Sequence, residues 1–94
     1  MLIALDFDGT YTADPELWDL FITQAKAKGH EVIIATMRLE GMEEESVLYY
    51  ELDKKVDKII YTNRKAKKTE VRRQYKDPDI WIDDNPEWLF EDAL

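Results

Sequence analysis

Four short apolar runs divide this chain, and each is followed by a stretch whose apolar residues recur at helical spacing. The runs are Met1–Leu5, Val32–Ala35, Ile59–Tyr61 and Ile80–Ile82. An apolar run this short is typical of a strand that is buried on both faces. Strands that alternate with helices over short connections form a parallel sheet with helices on both faces. We therefore predict an α/β fold, a minimal three-layer Rossmann-like domain with about four parallel strands.

Capping residues mark the first helix. Asp14 suits its N-cap, Pro15 its first position and Gly29 its end. Its apolar stripe is Leu17, Trp18, Phe21, Ile22 and Ala25. The later helices are predicted over Gly41–Lys54, over Lys65–Tyr75, and as a short last helix that begins at Asn85-Pro86 and carries Trp88, Leu89 and Phe90.

Length and composition limit the classes of protein to consider. The chain has 94 residues, which corresponds to a single domain over 1–94. It has no cysteine, so disulfides and thiolate zinc sites are excluded, and this is compatible with a reducing compartment. No apolar run is long enough to span a membrane, and the start of the chain lacks an export signal. We expect a cytoplasmic protein with no membrane partner.

Charge is distributed unevenly along the chain. The net charge is −8, which argues against a general nucleic-acid coat protein. Residues 54–76 nevertheless hold ten Lys and Arg against two acids, so this segment carries +8 and the rest of the chain −16. A basic run of this kind is either a solvated helix face or a surface for anions.

Polar residues follow every predicted strand. They are Asp6 and Asp8 after the first, Thr36 and Arg38 after the second, Arg64 and the lysines after the third, and Asp83 and Asp84 after the fourth. In a parallel sheet the carboxyl ends of the strands meet at one edge, and ligands bind there. Residues at i and i+2 of an extended segment point the same way, so Asp6 and Asp8 could face one site.

These residue types favour phosphoryl transfer. The four aspartates supply hard oxygen ligands in a region without cysteine, which selects Mg²⁺ rather than zinc or copper. Thr36, Arg38 and Lys67 supply the donors and positive charge that a phosphoryl group needs. An aspartate can also act as the nucleophile that forms an aspartyl-phosphate.

Four sequence motifs, in order, resemble those of the haloacid dehalogenase (HAD) superfamily of phosphohydrolases. LDFDGT resembles its first motif, IIAT the second, a lysine early in a helix the third, and IDD the fourth. The motifs span residues 1–84 and follow the predicted strands. This resemblance implies a HAD-like fold and a phosphohydrolase activity.

The resemblance also implies catalytic roles. Asp6 would be the nucleophile that takes the phosphoryl group. Asp8 would protonate the leaving alcohol and then activate water to hydrolyse the aspartyl-phosphate. Thr36 and Lys67 would hold the phosphate oxygens.

A metal site is implied in the same way. Mg²⁺ would bind the side chains of Asp6 and Asp83 and the backbone carbonyl of Asp8. Asp84 would assist through water. The cofactor predicted for this protein is therefore Mg²⁺.

Two predictions about basic residues leave more than one interpretation open, namely which lysine binds phosphate and what Arg38 does. Lys65, Lys67 and Lys68 all lie at the right end of the third helix, and we favour Lys67 from its phase with Val71, with Lys68 as a further substrate-binding residue. Arg38 resembles an arginine that would clamp phosphate in the 3′-phosphatase domain of a phage polynucleotide kinase. The alternative for Arg38 is a solvated loop arginine.

The sequence departs from the family by lacking a flap and a cap domain. Only Gly9–Ala13 could form the flap, so we expect an uncapped, open site. The +8 segment is predicted to flank this opening. The partner would be a phosphorylated substrate, either a small molecule or a nucleic-acid end. Exposed aromatics such as Trp88 and Phe90 could form the interface of a homodimer.

Two functions are compatible with these residues. The first is a Mg²⁺-dependent phosphomonoesterase that works through an aspartyl-phosphate on Asp6. The alternative is a catalytically weak binding or regulatory module that keeps the fold and the metal. The missing flap favours the module, because exclusion of water helps this chemistry. The complete set of motif residues favours the enzyme.

Overall fold

Four parallel strands form the sheet at the centre of the protein. The structure is a computed structural model that describes residues 1–40 and 47–93, and the side chains of all of these except 47–49. The strands are β1 (Leu2–Asp6), β2 (Glu31–Thr36), β3 (Lys58–Tyr61) and β4 (Ile80–Ile82). Their order in the sheet is β3-β2-β1-β4, and every pairing is parallel. The predicted strands and their parallel arrangement are confirmed.

Within 1–40 and 47–93, three α-helices connect and follow these strands. They are α1 (Pro15–Ala27), α2 (Val47–Asp53) and α3 (Lys67–Gln74). Part of the second predicted helix, 41–46, lies outside the described residues, as do the side chains of Leu48 and Tyr49. Two short 3-10 helices, Tyr11–Ala13 and Pro86–Leu89, complete the fold, and the second replaces the predicted last helix. Among the residues described, no helix combines the length and apolarity needed to cross a membrane.

Alternate residues of the strands face opposite sides of the sheet and build two cores. Ile3 and Leu5 pack with Ile22 of α1 and Leu52 of α2. The intervening strand residues pack on the other side with Val71 of α3. Because side chains alternate along a strand, helices on both faces are needed to bury both sets. The predicted three-layer α/β arrangement is thereby confirmed.

The ends of α1 follow its capping chemistry. The Asp14 side chain accepts a hydrogen bond of 3.2 Å from the backbone N–H of Leu17, and Pro15 occupies the first helical position. Gly29 lies just beyond the helix at φ +88°, the left-handed conformation that glycine adopts without strain. Leu17 is the exception in the predicted stripe, because it is 51% exposed. Leu17 therefore lies outside the core that the rest of the stripe joins.

Candidate functional site

The carboxyl end of the sheet opens into a cleft of about 640 Å³. β1 and β4 are neighbours, with Leu5 paired to Ile82, so the acids that follow the two strands meet there. The charged residues that line the cleft are Asp6, Asp8, Arg64, Lys67, Asp83, Asp84, Glu91 and Asp92. The structure therefore brings together both predicted acidic pairs and one predicted lysine.

Lys67 lies at the centre of this cluster. Its Nζ donates to Oδ1 of Asp6 at 2.7 Å and to Oδ2 of Asp83 at 2.6 Å. The side chain is only 2% exposed, because α3 begins at this residue and directs it toward the strand ends. Lys65 is exposed, and the Nζ of Lys68 lies 5.5 Å from the ring centroid of Phe90. Of the three candidate lysines, Lys67 is the one that contacts the acids.

Thr10 joins two of the acids from the other side. Its Oγ1 lies 3.1 Å from Oδ2 of Asp6 and 3.1 Å from Oδ1 of Asp84, and it accepts a hydrogen bond from the backbone N–H of Asp84. A hydroxyl has one proton, so it donates to one of these carboxylates at a time. Thr10 was not among the predicted site residues. The available signal was its position four residues after Asp6, within the same DFDGT stretch.

Burial dominates the electrostatics of Asp6. Removal from water raises the pKa of Asp6 to about 7, although the hydrogen bond from Lys67 acts in the opposite direction. A hydrogen bond with Asp84 raises it further, and the same bond lowers the pKa of Asp84. Asp6 therefore holds a proton more tightly than Asp84 does.

The donor set fits a hard cation. One carboxylate oxygen from each of Asp6, Asp83 and Asp84 lies within 4.8 Å of the others. Oxygen ligands from clustered carboxylates are those that Mg²⁺ and Ca²⁺ prefer. A cation would also relieve the repulsion between these carboxylates. The side chain of Asp8 is outside this group.

Asp8 instead forms an ion pair with Arg38. The Nε and Nη2 atoms of Arg38 donate to the two oxygens of Asp8 at 2.9 and 2.8 Å, and the guanidinium lies 5.2 Å from the ring centroid of Phe7. The Oγ1 of Thr36, a residue that is 1% exposed, accepts the backbone N–H of Arg38 at 3.3 Å. Thr36 and Arg38 thus lie at the predicted edge, while their contact with phosphate stays a prediction.

Gly9 allows the close approach of the first and fourth strand ends. It has φ +85°, and a Cβ added there would lie 2.6 Å from Oδ2 of Asp84. Any other residue would therefore push against the acid cluster.

Comparison with known proteins does not identify a family. The chain matches no protein-family model, no curated protein and no solved structure.

The part of the chain after β4 covers more of the site than the short loops predict. Trp88, Glu91, Asp92 and Ala93 all line the cleft. Phe90 is 69% exposed, as expected for an interface residue, but Trp88 is half-buried. These residues were not predicted to line the site, because nothing in their sequence indicates where they pack.

The basic segment 54–76 flanks the cleft only in part, with Arg64, Lys65, Lys67 and Lys68 at the carboxyl end of the sheet. Of its ten Lys and Arg, all of which are described, Arg64 and Lys67 line the cleft. Lys58 begins β3 and Lys76 pairs with Glu31 at 2.6 Å, both at the opposite end of the sheet. The physical reason is that α3 runs from one end of the sheet to the other, so a continuous basic segment is divided between the two ends.

Proposed function

We propose that this protein is a Mg²⁺-dependent phosphomonoesterase, as the resemblance to the HAD superfamily implies, and that Asp6 is its nucleophile. One observation carries the proposal. Asp6 is buried at the carboxyl end of the sheet, where its two oxygens contact Lys67 and Thr10 and where Asp83 and Asp84 converge on it. A buried carboxylate with a raised pKa and further acids beside it is typical of sites that bind a metal and perform chemistry.

The residues that would hold the metal are Asp6, Asp83 and Asp84, and the Asp8 carbonyl is predicted to join them. Bound Mg²⁺ would neutralise charge on the phosphoryl oxygens and orient the phosphate for attack. Lys67 supplies the positive charge that this chain itself brings to the phosphoryl group. In the resting structure its ammonium is held by Asp6 and Asp83, so it is already oriented toward the reacting atoms.

The proposed reaction has two steps. An Asp6 carboxylate oxygen attacks phosphorus, the bond between phosphorus and the ester oxygen breaks, and Asp8 gives its proton to the leaving oxygen to form the alcohol. Water then attacks the phosphorus of the aspartyl-phosphate, the bond between phosphorus and the Asp6 oxygen breaks, and Asp8 accepts a proton from that water. The products are the alcohol and inorganic phosphate, and Asp6 is regenerated.

For Asp8 to transfer protons, its ion pair with Arg38 has to open. Substrate binding provides a route, because the planar fork of Arg38 matches phosphate oxygens as well as it matches a carboxylate. We propose that the guanidinium exchanges Asp8 for the substrate phosphate. Arg38 would then hold Asp8 in the free protein and the phosphate in the complex.

Removal of the nucleophile tests the proposal. Asp6→Asn should lower kcat/KM for p-nitrophenyl phosphate with Mg²⁺ by about a thousandfold or more, because the amide cannot form the covalent intermediate. The control is Asp79→Asn, at the other end of the sheet, where the wild-type carboxylate accepts the backbone N–H of Leu2 at 2.8 Å. Its activity should stay near that of wild type. Full turnover in Asp6→Asn would refute the assignment.

The Asp8–Arg38 ion pair also favours a second candidate, a binding module with weak turnover, because it occupies both oxygens of the proposed acid. Beryllium fluoride separates the two, since it mimics an acyl-phosphate on a competent aspartate. Thermal stabilisation by Mg²⁺ with beryllium fluoride, absent in Asp6→Asn, supports the enzyme. Stabilisation only by a protein or nucleic-acid partner supports the module.

A further inference from the structure

Residues 86–93, here called the C-terminal wall, form one side of the cleft that contains Asp6. Trp88, Glu91, Asp92 and Ala93 line the cleft from this side. A leaving group attached to a phosphate at Asp6 would therefore lie against the C-terminal wall.

Hydrogen bonds fix this wall to the loop that precedes α3. Oδ1 of Asp92 accepts the backbone N–H of Ala66 at 2.7 Å, and the backbone N–H of Ala93 donates to the carbonyl of Arg64 at 2.6 Å. Asp92 supplies a cap that α3 lacks locally, since Ala66 has no side chain able to accept a hydrogen bond. The wall is therefore a built part of the site rather than a loose tail.

The wall adds negative charge to an already acidic cleft. Six of the lining side chains are acids and two are bases. The acids are Asp6, Asp8, Asp83, Asp84, Glu91 and Asp92, and the bases are Arg64 and Lys67. The three acids of the proposed metal site are offset by the cation and by Lys67, but Glu91 and Asp92 lie beyond them, where the leaving group would be. A polyanionic leaving group would be repelled there.

Arg64 lines the cleft, and Lys65 and Lys68 lie near it at the start of α3, but the paired cations of this segment lie elsewhere. Lys55 pairs with Asp19 at 2.9 Å, Arg73 with Glu70 at 2.7 Å, and Lys76 with Glu31. These pairs lie along the flanks and at the amino end of the sheet. A nucleic-acid backbone that followed them would be led away from Asp6.

Resting on the function proposed above, we propose that the substrates are small-molecule phosphomonoesters, and that the C-terminal wall discriminates against the phosphorylated ends of nucleic acids. The cleft volume of about 640 Å³ is typical of a site for a small molecule. The charge of the wall then selects among phosphate esters according to the charge of the leaving group.

Paired substrates test this selectivity. We expect kcat/KM for glycerol 3-phosphate to exceed that for short DNA and RNA oligonucleotides with a 3′- or 5′-phosphate by about a hundredfold, the size of effect that charge steering has on association. Equal or higher kcat/KM for any of these oligonucleotides would overturn the proposal. If no ester is hydrolysed in an Asp6-dependent way, the phosphomonoesterase function fails instead, and the two outcomes are distinct.

Salt gives a second test without a mutation. Because like charges are screened by salt, kcat/KM for the oligonucleotides should rise as the NaCl concentration increases at constant Mg²⁺. An enzyme built to bind nucleic acid shows the opposite slope, because salt weakens its phosphate contacts. A fall in oligonucleotide kcat/KM with salt would contradict the proposal.

Substitutions in the C-terminal wall test whether its acids cause the selectivity between the two classes of substrate. Glu91→Gln should raise the ratio of oligonucleotide to glycerol 3-phosphate kcat/KM by about fivefold, and Asp92→Ala by about tenfold, since it removes both a charge and the bond to Ala66. Glu16→Gln, an exposed acid in the first turn of α1, is the matched control and should leave the ratio unchanged. An unchanged ratio in both wall variants would overturn the role of the wall.

Discussion

The two ends of the parallel sheet are both rich in charge, but their acids are used differently. At the amino end, carboxylates cap the starts of strands: Oδ2 of Asp57 accepts the backbone N–H of Val32 at 2.8 Å, and Oδ2 of Asp79 accepts that of Leu2 at 2.8 Å. At the carboxyl end, Asp6, Asp83 and Asp84 converge on one another around a single buried ammonium.

The pKa values show the same contrast. At the amino end, hydrogen bonds from Lys76 and Tyr75 lower the pKa of Glu31, a half-buried acid with its own partners. At the carboxyl end, burial raises the pKa of Asp6 to about 7 despite its bond to Lys67. Polar strand ends alone therefore do not define a site. The distinguishing feature is an excess of buried like charge.

Two matched lysine substitutions should give the largest difference between the two ends of the sheet, measured as the loss of unfolding free energy. Lys67→Met in Mg²⁺-free buffer should lower the free energy of unfolding by about 3–5 kcal/mol, because it leaves Asp6 and Asp83 buried without their cation. Lys76→Met should cost about 0–1 kcal/mol, because its side chain is 55% exposed and its ion pair with Glu31 is screened by water. Urea denaturation measures both.

Two additional measurements complete this comparison. Mg²⁺ should recover part of the stability of Lys67→Met, since it can supply the missing positive charge, and it should not affect Lys76→Met. Lys68→Met should resemble Lys76→Met in stability. If Lys68→Met were as costly as Lys67→Met, the assignment of the buried lysine would be wrong.

Substitution of an acid at the carboxyl end of the sheet should weaken Mg²⁺ binding, whereas substitution of an acid at the amino end should not. Asp84→Asn should weaken Mg²⁺ binding by about 10–100-fold, as loss of a site carboxylate does, while Asp57→Asn should bind Mg²⁺ like wild type. Without Mg²⁺, Asp84→Asn should be at least as stable as wild type, because it removes one of the converging charges. Isothermal titration and thermal unfolding measure these effects. Equal Mg²⁺ affinity in the two variants would contradict the proposed site.

Two glycines of the described residues have left-handed backbone conformations, one at each end of the sheet, and their substitution should give the smallest of these effects. Gly9 at φ +85° and Gly29 at φ +88° lie at the carboxyl and amino ends of the sheet. Gly29→Ala should cost about 1–2 kcal/mol of unfolding free energy from backbone strain alone, because no atom lies within 4 Å of an added Cβ.

Gly9→Ala should cost more, because the added Cβ would also displace the Asp84 carboxylate. It should weaken Mg²⁺ binding as well, whereas Gly29→Ala should not. Chemical denaturation with and without Mg²⁺ distinguishes strain from damage to the site. Identical behaviour of the two variants would show that the approach of Gly9 to Asp84 has no consequence.

Local chemistry made much of the fold predictable. Buried strands appear in the sequence as apolar runs, and Asp14 and Gly29 mark the ends of α1 through their capping roles. Lys67 was predicted from its phase with Val71, which is buried against the sheet. These features depend on a few neighbouring residues, so the sequence contains the necessary information.

Contacts between distant parts of the chain were not predictable in the same way. The bond between Thr10 and Asp84 spans 74 residues, and that between Ala66 and Asp92 spans 26. The prediction that the basic segment 54–76 flanks the cleft was only partly right. Its charge is visible in the sequence, but the sequence does not show that this segment extends along the whole length of the sheet. These features follow from tertiary packing rather than from local pattern.

Trapping of the covalent intermediate tests the central claim, that Asp6 takes the phosphoryl group, most directly. Wild-type protein is mixed with p-nitrophenyl phosphate and Mg²⁺, quenched during turnover and treated with borohydride, which reduces an acyl-phosphate to an alcohol. Peptide mass spectrometry should then find homoserine in place of aspartate at position 6, and only when substrate is present. Substrate turnover with no reduced residue at position 6, or with the reduced residue at another aspartate, would contradict the account.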